Sequence, residues 1–286
     1  MSKIVGLSVG FPGAKRPLEE GAKLGLWDFV LLEGERVKIP PADVYIFAAY
    51  HPVYERLFTL GGKNVILWTS SSGEMDMEPI EQQFLDRLLK DPRVSSIWFG
   101  DQSLALAYPE KGFYAPYPLN PIEVKLIIAK HDIITLFCPA GPKKNILNQL
   151  VAVKLAQREM HLTLHTNIRG YDGIISELDC VRHDWLPEGE YQSLLAKSKV
   201  NLAVSWCETF SYQVAEAALC RTCSLVSETI PVPGMVITNP NNPAFIAQGI
   251  IEVAQRATEL GEMASRKVME FAKARNEELK EILKRL

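Results

Sequence analysis

VNLAVSWCETFSYQVAEAALCRTCSLVS, residues 200–227, reads as strand, loop, helix and strand within one crossover. VNLAVSW is an apolar run of strand length, residues 210–220 are alanine-rich at helical spacing, and CSLVS returns as a short strand. Two strands joined through a helix pair in parallel, which makes this stretch one unit of an α/β sheet. It also holds two glutamates eight positions apart. Glu208 follows the strand, at the carboxyl edge where an open sheet binds ligands. Glu216 stands two helical turns further on among Ala215, Ala217 and Ala218, an apolar setting that a solvated helix face would not need.

The same rhythm extends outward. Upstream, DIITLFC, HLTLHT and LDCVRH read as strands, with helices near 144–159 and 188–198; downstream comes a helix near 243–257 and a long amphipathic C-terminal helix. KIVGLSV, DFVLL, VYIFAAY, NVILWT and SSIWFG form an earlier series, with YERLFTL and PIEQQFLDRLLK as helices between them. Between the two series, YPEKGFYAPYPLNP (108–121) carries four prolines and reads as a linker. The expectation is two Rossmann-like domains with parallel sheets facing an interdomain cleft. The first domain spans residues 1–118 and the second 119–286, the last helix being able to pack back on the first domain. A length of 286 residues agrees with two cores of about 140 residues each.

Composition excludes several classes. With 47% apolar and 23% charged residues the chain is a folded globular protein, and a net charge of -3 gives no global reason to bind nucleic acid. The first twenty residues are too short and punctuated for a signal peptide or a membrane span, so a cytoplasmic protein without a transmembrane segment is expected. Five cysteines without a second close pair do not make a disulfide framework or a four-cysteine zinc site. Cys220 and Cys223 follow a helix instead of opening one, which leaves no dipole to activate a thiol. His161 and His165 lack further ligands nearby in sequence, and Glu74, Asp76 and Glu78 precede a proline-initiated helix, where capping and dipole compensation explain them; no metal site is expected. GLSVG (6–10) matches a nucleophile elbow in letters only, because Ser8 lies inside the first strand. Gly10 and Gly13, after that strand, allow close backbone approach to a ligand.

Glu208-Thr209-Phe210-Ser211 followed by Glu216-Ala217, with Leu225-Val226-Ser227 as the next strand, resembles the Glu, any seven, Glu motif of retaining glycosyltransferases of the GT-B fold. HDWLPEGEYQSLLAKSKVNLAVS, the stretch Cys138-Pro139-Ala140-Gly141-Pro142-Lys143-Lys144-Asn145 after DIITLFC, and APYPLN agree with that family. The resemblance covers roughly residues 130–257. It implies a sugar donor bound as a nucleotide-sugar co-substrate, with no other cofactor. Glu208 would contact the donor sugar, Glu216 the ribose, Lys144 the diphosphate, and the amides of Thr209, Phe210 and Ser211 phosphate or sugar. Lys143 and Asn145 would border the donor, and His51, after the third strand, would lie near the sugar. The arginine that commonly precedes the family's lysine is absent, Cys138-Pro139-Ala140 taking its place: either Lys143 substitutes for it, or donor binding is weakened or altered. Glycines around the family's phenylalanine are here Thr209 and Ser211. The implied activity is metal-independent hexosyl transfer with retention to an acceptor that is a glycan, lipid, protein or small molecule. A nucleotide-sugar epimerase of similar fold and a non-catalytic two-lobed binding module are the alternatives.

Overall fold

The structure, a computed structural model, describes residues 2–10, 12–33, 37–121, 129–139 and 141–286. The chain divides into two compact units, one of residues 1–120 with 272–286 and the other of residues 121–271.

The first unit runs β1 (Ile4–Ser8), α1 (Pro12–Lys23), β2 (Asp28–Leu31), β3 (Val44–Ala48), β4 (Lys63–Trp68), α2 (Ser72–Met77), α3 (Pro79–Lys90), β5 (Ser96–Phe99), α4 (Gln102–Ala107) and β6 (Gly112–Tyr114). Its six strands are parallel in the order β2-β1-β3-β4-β5-β6. Every residue of β1 and β3 is buried, as a sheet covered on both faces requires. Two expectations fail here. YERLFTL is no α-helix: only a short 3-10 turn forms over Pro52–Arg56, with proline at its start and Gly61-Gly62 close behind. The expected linker carries β6, held at the sheet edge by Ile97↔Gly112 pairing. A third difference concerns Gly13, which lies in the first turn of α1 and not in a loop.

The second unit runs β7 (His131–Leu136), α5 (Ile146–Gln157), β8 (Thr163–Thr166), α6 (Asp172–Ile175), β9 (Cys180–Arg182), α7 (Glu188–Lys197), β10 (Ser198–Ala203), α8 (Tyr212–Leu219), β11 (Ser224–Val226), β12 (Val236–Ile237) and α9 (Pro243–Gln255). The long α10 (Ala257–Leu283) closes the chain. The strands are again parallel, in the order β12-β11-β10-β7-β8-β9. Ile134, Leu136, Val200 and Leu202 form the core with Leu150 and Val153 of α5 and Ile246, Ile250 and Val253 of α9. Leu195, Ala196, Ala217 and Cys220 of α7 and α8 make a smaller cluster. Helix α8 starts at Ser211, whose hydroxyl accepts from Val214 N at 3.4 Å. It ends through a left-handed Arg221 (φ 57) and a Thr222 N–H donated to Ala217 O at 2.8 Å, a Schellman closure without glycine. No described helix is long and apolar enough to cross a membrane.

Candidate active site

In the second sheet β7 starts one run of strands outward through β8 and β9, while β10 starts the other through β11 and β12. The crossovers therefore diverge between β7 and β10, and the crevice at their carboxyl ends is where such a sheet takes a ligand. Lys144 follows β7, and Glu208 follows β10. The Lys144 ammonium donates to Glu208 Oε1, which also accepts from Ser205 Oγ at 3.1 Å. A pocket here is lined by Cys138, Lys144, Gln149, Ser205, Glu208 and Gln213, with Ser211 at the start of α8.

The backbone beneath this pair is bound across the same divide. Trp206 N donates to Lys143 O at 2.8 Å, and Val204 N donates to Gln149 Oε1 at 3.0 Å. Gln149 Nε2 in turn donates to Lys144 O at 2.8 Å. Asn145 bridges the 3-10 turn Pro142–Lys144 and α5 in a left-handed conformation (φ 51, ψ 37), which asparagine tolerates better than most residues. Its amide donates to Pro240 O at 2.8 Å, and its Oδ1 accepts from Asn148. Under the pocket, Thr135 Oγ1 and Gln213 Nε2 both donate to Asn201 Oδ1, at 3.1 and 3.2 Å, and Asn201 Nδ2 donates to Ser224 Oγ. Such a fully engaged polar layer fixes the strands carrying the site.

Cys138 stands where the resembled family has its arginine, while Ala140 lies outside the described residues. Burial pushes the Cys138 thiol up to about 11, with Lys144 pulling the other way and Glu208 adding to the rise. The position contributes no charge at neutral pH, so Lys144 and Lys143 are the cations of this loop. Phe210 is buried, stacked on Phe271 with centroids 6.4 Å apart and edge-on to Tyr212 at 4.9 Å. Its ring belongs to the packing. Glu216 is half-buried on α8, outside the pocket lining. It lies near Tyr191 and Cys220, where its charge joins burial in raising both pKa values, Cys220 to about 12. Cys220 and Cys223 are free thiols, and burial lifts Cys223 to about 11.

The first sheet has its own divide, between β1 and β3. Gly10 follows β1 with φ +92, a conformation that suits glycine alone. His51 follows β3; its Nδ1 accepts from Val53 N at 3.2 Å and so caps the Pro52–Arg56 turn. Tyr54 ties the two strand ends together, its hydroxyl donating to Ala48 O at 3.2 Å and accepting from Val9 N at 3.1 Å. The acidic triplet is only partly placed at helix starts: Glu74 lies in the first turn of α2, where its N–H donates to the Ser71 hydroxyl, whereas Asp76 lies near the end of α2, and Glu78, directly before Pro79 of α3, makes no capping bond through its side chain. His165 pairs with His183 at 2.9 Å, and burial followed by that neighbour lowers its pKa.

Sequence reasoning missed Gln149, Ser205 and Gln213. Gln149 had a signal: it interrupts the apolar face formed by Ile146, Leu150 and Val153, a place where only a satisfied polar group is tolerated.

No protein-family model matches the chain, and no curated protein matches it. Among solved structures, HepE of Anabaena in complex with UDP-glucose is similar at 13% identity and a TM-score of 0.72, covering 100% of both chains. A UDP-forming α,α-trehalose-phosphate synthase from Burkholderia xenovorans aligns at 9% identity and a TM-score of 0.71, over 99% of each chain. The fold is that of the GT-B glycosyltransferases. TarM of S. aureus, in complex with UDP, α-GlcNAc-glycerol and fondaparinux, aligns at 12% identity and a TM-score of 0.67. That match covers 84% of this chain, which spans 55% of the length of TarM. In this GT-B chain the Lys144–Glu208 pair stands at the divide of the second sheet.

Proposed function

We propose that the chain is a retaining glycosyltransferase that takes a sugar from a nucleoside-diphosphate sugar, UDP being the first nucleotide to test, and passes it to an acceptor held by the first unit. The observation that carries this reading is the Lys144–Glu208 pair at the divide of the second sheet, beside the start of α8. A diphosphate leaving group needs positive charge where its own negative charge develops. Lys144 supplies that charge, Lys143 adds a second cation, and the amides of Thr209, Phe210 and Ser211 add the dipole of a helix start.

Glu208 then exchanges its ion pair for the donor sugar's hydroxyls, and Glu216 accepts from the ribose hydroxyls. The bond from the anomeric carbon to the diphosphate breaks as the acceptor oxygen bonds to that carbon on the same face. The acceptor's proton passes to the departing phosphate oxygen, so no protein nucleophile is required. His51 serves near the transferred sugar, the backbone at Gly10 approaches the nucleotide-sugar, and no metal is assigned to the reaction. UDP-bearing structures of the same fold support the choice of nucleotide.

The test is calorimetric titration of the chain with UDP and with UDP-glucose, followed by product analysis. Binding of both, with UDP and a new glycoside as products, supports transfer. An altered UDP-sugar without free UDP identifies an epimerase. Absence of binding by any nucleoside diphosphate or its sugars overturns the reading.

A further inference from the structure

Gln149 belongs to neither motif that the sequence brings forward, yet it joins the two loops that meet at the divide. It is 1% exposed, on the first turn of α5, and lines the pocket beside Lys144 and Glu208. Its amide is used in both senses: Oε1 accepts from Val204 N, directly after β10, and Nε2 donates to Lys144 O, after β7. A hydrocarbon side chain would leave the Val204 N–H and the Lys144 carbonyl without this partner in a buried setting, and a carboxylate would turn an acceptor toward a carbonyl oxygen. Lys144 is therefore held at its backbone by a side chain whose other end is anchored where the Glu208 loop departs.

We infer that Gln149 is a positioning residue that presents the Lys144 ammonium to the diphosphate of the donor, by locking the loop after β7 to the end of β10. The inference rests on the reading of Lys144 as the diphosphate-binding cation. It assigns Gln149 no contact with the substrate. Its effect is selective, because only the ligand portion that meets Lys144 depends on where that ammonium stands.

The experiment uses the full chain with UDP and uridine as probes, measured by calorimetry for the wild type, Gln149→Met and Gln149→Glu. Gln149→Met is expected to weaken UDP binding by about tenfold while uridine binding is unchanged. Gln149→Glu provides a conservative rescue: once protonated, its carboxyl offers an O–H to Lys144 O and a C=O to Val204 N, as the amide does. Its UDP affinity relative to wild type should be reduced at pH 8 and recover as the pH falls toward 5, whereas Gln149→Met stays weak throughout. Wild-type UDP affinity in both variants overturns the inference, as does an equal loss of UDP and uridine binding without acid recovery. A wild-type chain that binds no UDP removes the underlying reading of Lys144, an outcome distinct from variants that bind as well as wild type.

Discussion

Lys144 and Glu208, 64 positions apart, meet as an ion pair where the second sheet changes the direction of its crossovers. A cation and a carboxylate at this place suit a ligand with both a diphosphate and hydroxyl groups. Each side chain satisfies the other, which lowers the cost of holding both largely covered from water, at 16% and 9% side-chain exposure.

The two glutamates should fail differently. Glu208→Gln removes the partner of Lys144 and the group assigned to the sugar, so turnover of UDP-glucose should fall while UDP affinity is largely kept. Glu216→Gln lies along α8 and should raise the dissociation constant for UDP, with a smaller effect on turnover at saturating donor. Steady-state kinetics and UDP titrations of both variants check this, and identical signatures would contradict the division of roles.

Activity should persist in excess EDTA. On the proposed reading, Lys144, Lys143 and the amides before α8 would supply the charge that a metal would otherwise bring to the diphosphate. Turnover of dialysed protein in EDTA should match turnover with added magnesium or manganese. Loss on chelation with recovery on metal addition would contradict this and direct mutagenesis to Glu74, Asp76 and Glu78.

The left-handed backbone at Asn145 predicts an unusual ranking of substitutions. Asn145→Gly and Asn145→Ala both lose the bonds to Pro240 O and Asn148. Alanine also meets the steric cost of the left-handed region, about 1 kcal/mol or more. Urea denaturation should find Asn145→Ala less stable than Asn145→Gly by about that amount. Equal stabilities would show that the turn does not need its positive φ.

The sheets were legible because buried β-branched runs and helical spacings alternate along both halves, and that alternation leaves parallel pairing as the available topology. Helix α1 was not. GFPGAKRP carries two glycines and two prolines and reads as a loop. Packing overrides that local preference: Leu18 is fully buried, and Trp27 Nε1 donates to Leu18 O at 2.8 Å. Gly21 clears space for the same indole, since a Cβ there would come within 1.9 Å of it. The 3-10 turn at Pro52 and the edge strand β6 were hidden for a related reason, being set by pairing and packing with distant residues.

The candidate site divides in the same way. Glu208 and the start of α8 stand out locally, because a charged residue soon after an apolar strand has few structural reasons to be there, whereas Lys144, eight positions beyond the end of β7, is picked out only by the resemblance. Gln149 needs its partner Val204, 55 positions away, before its role can be seen.

The central claim, that Lys144 meets the diphosphate of a nucleotide donor, is tested most directly by titrating wild type and Lys144→Ala with UDP and with uridine. Loss of a charge-assisted contact worth about 1.5–3 kcal/mol should weaken UDP binding by about ten- to a hundredfold and leave uridine binding in place. Equal losses for UDP and uridine, or an unchanged affinity for UDP, would contradict the account.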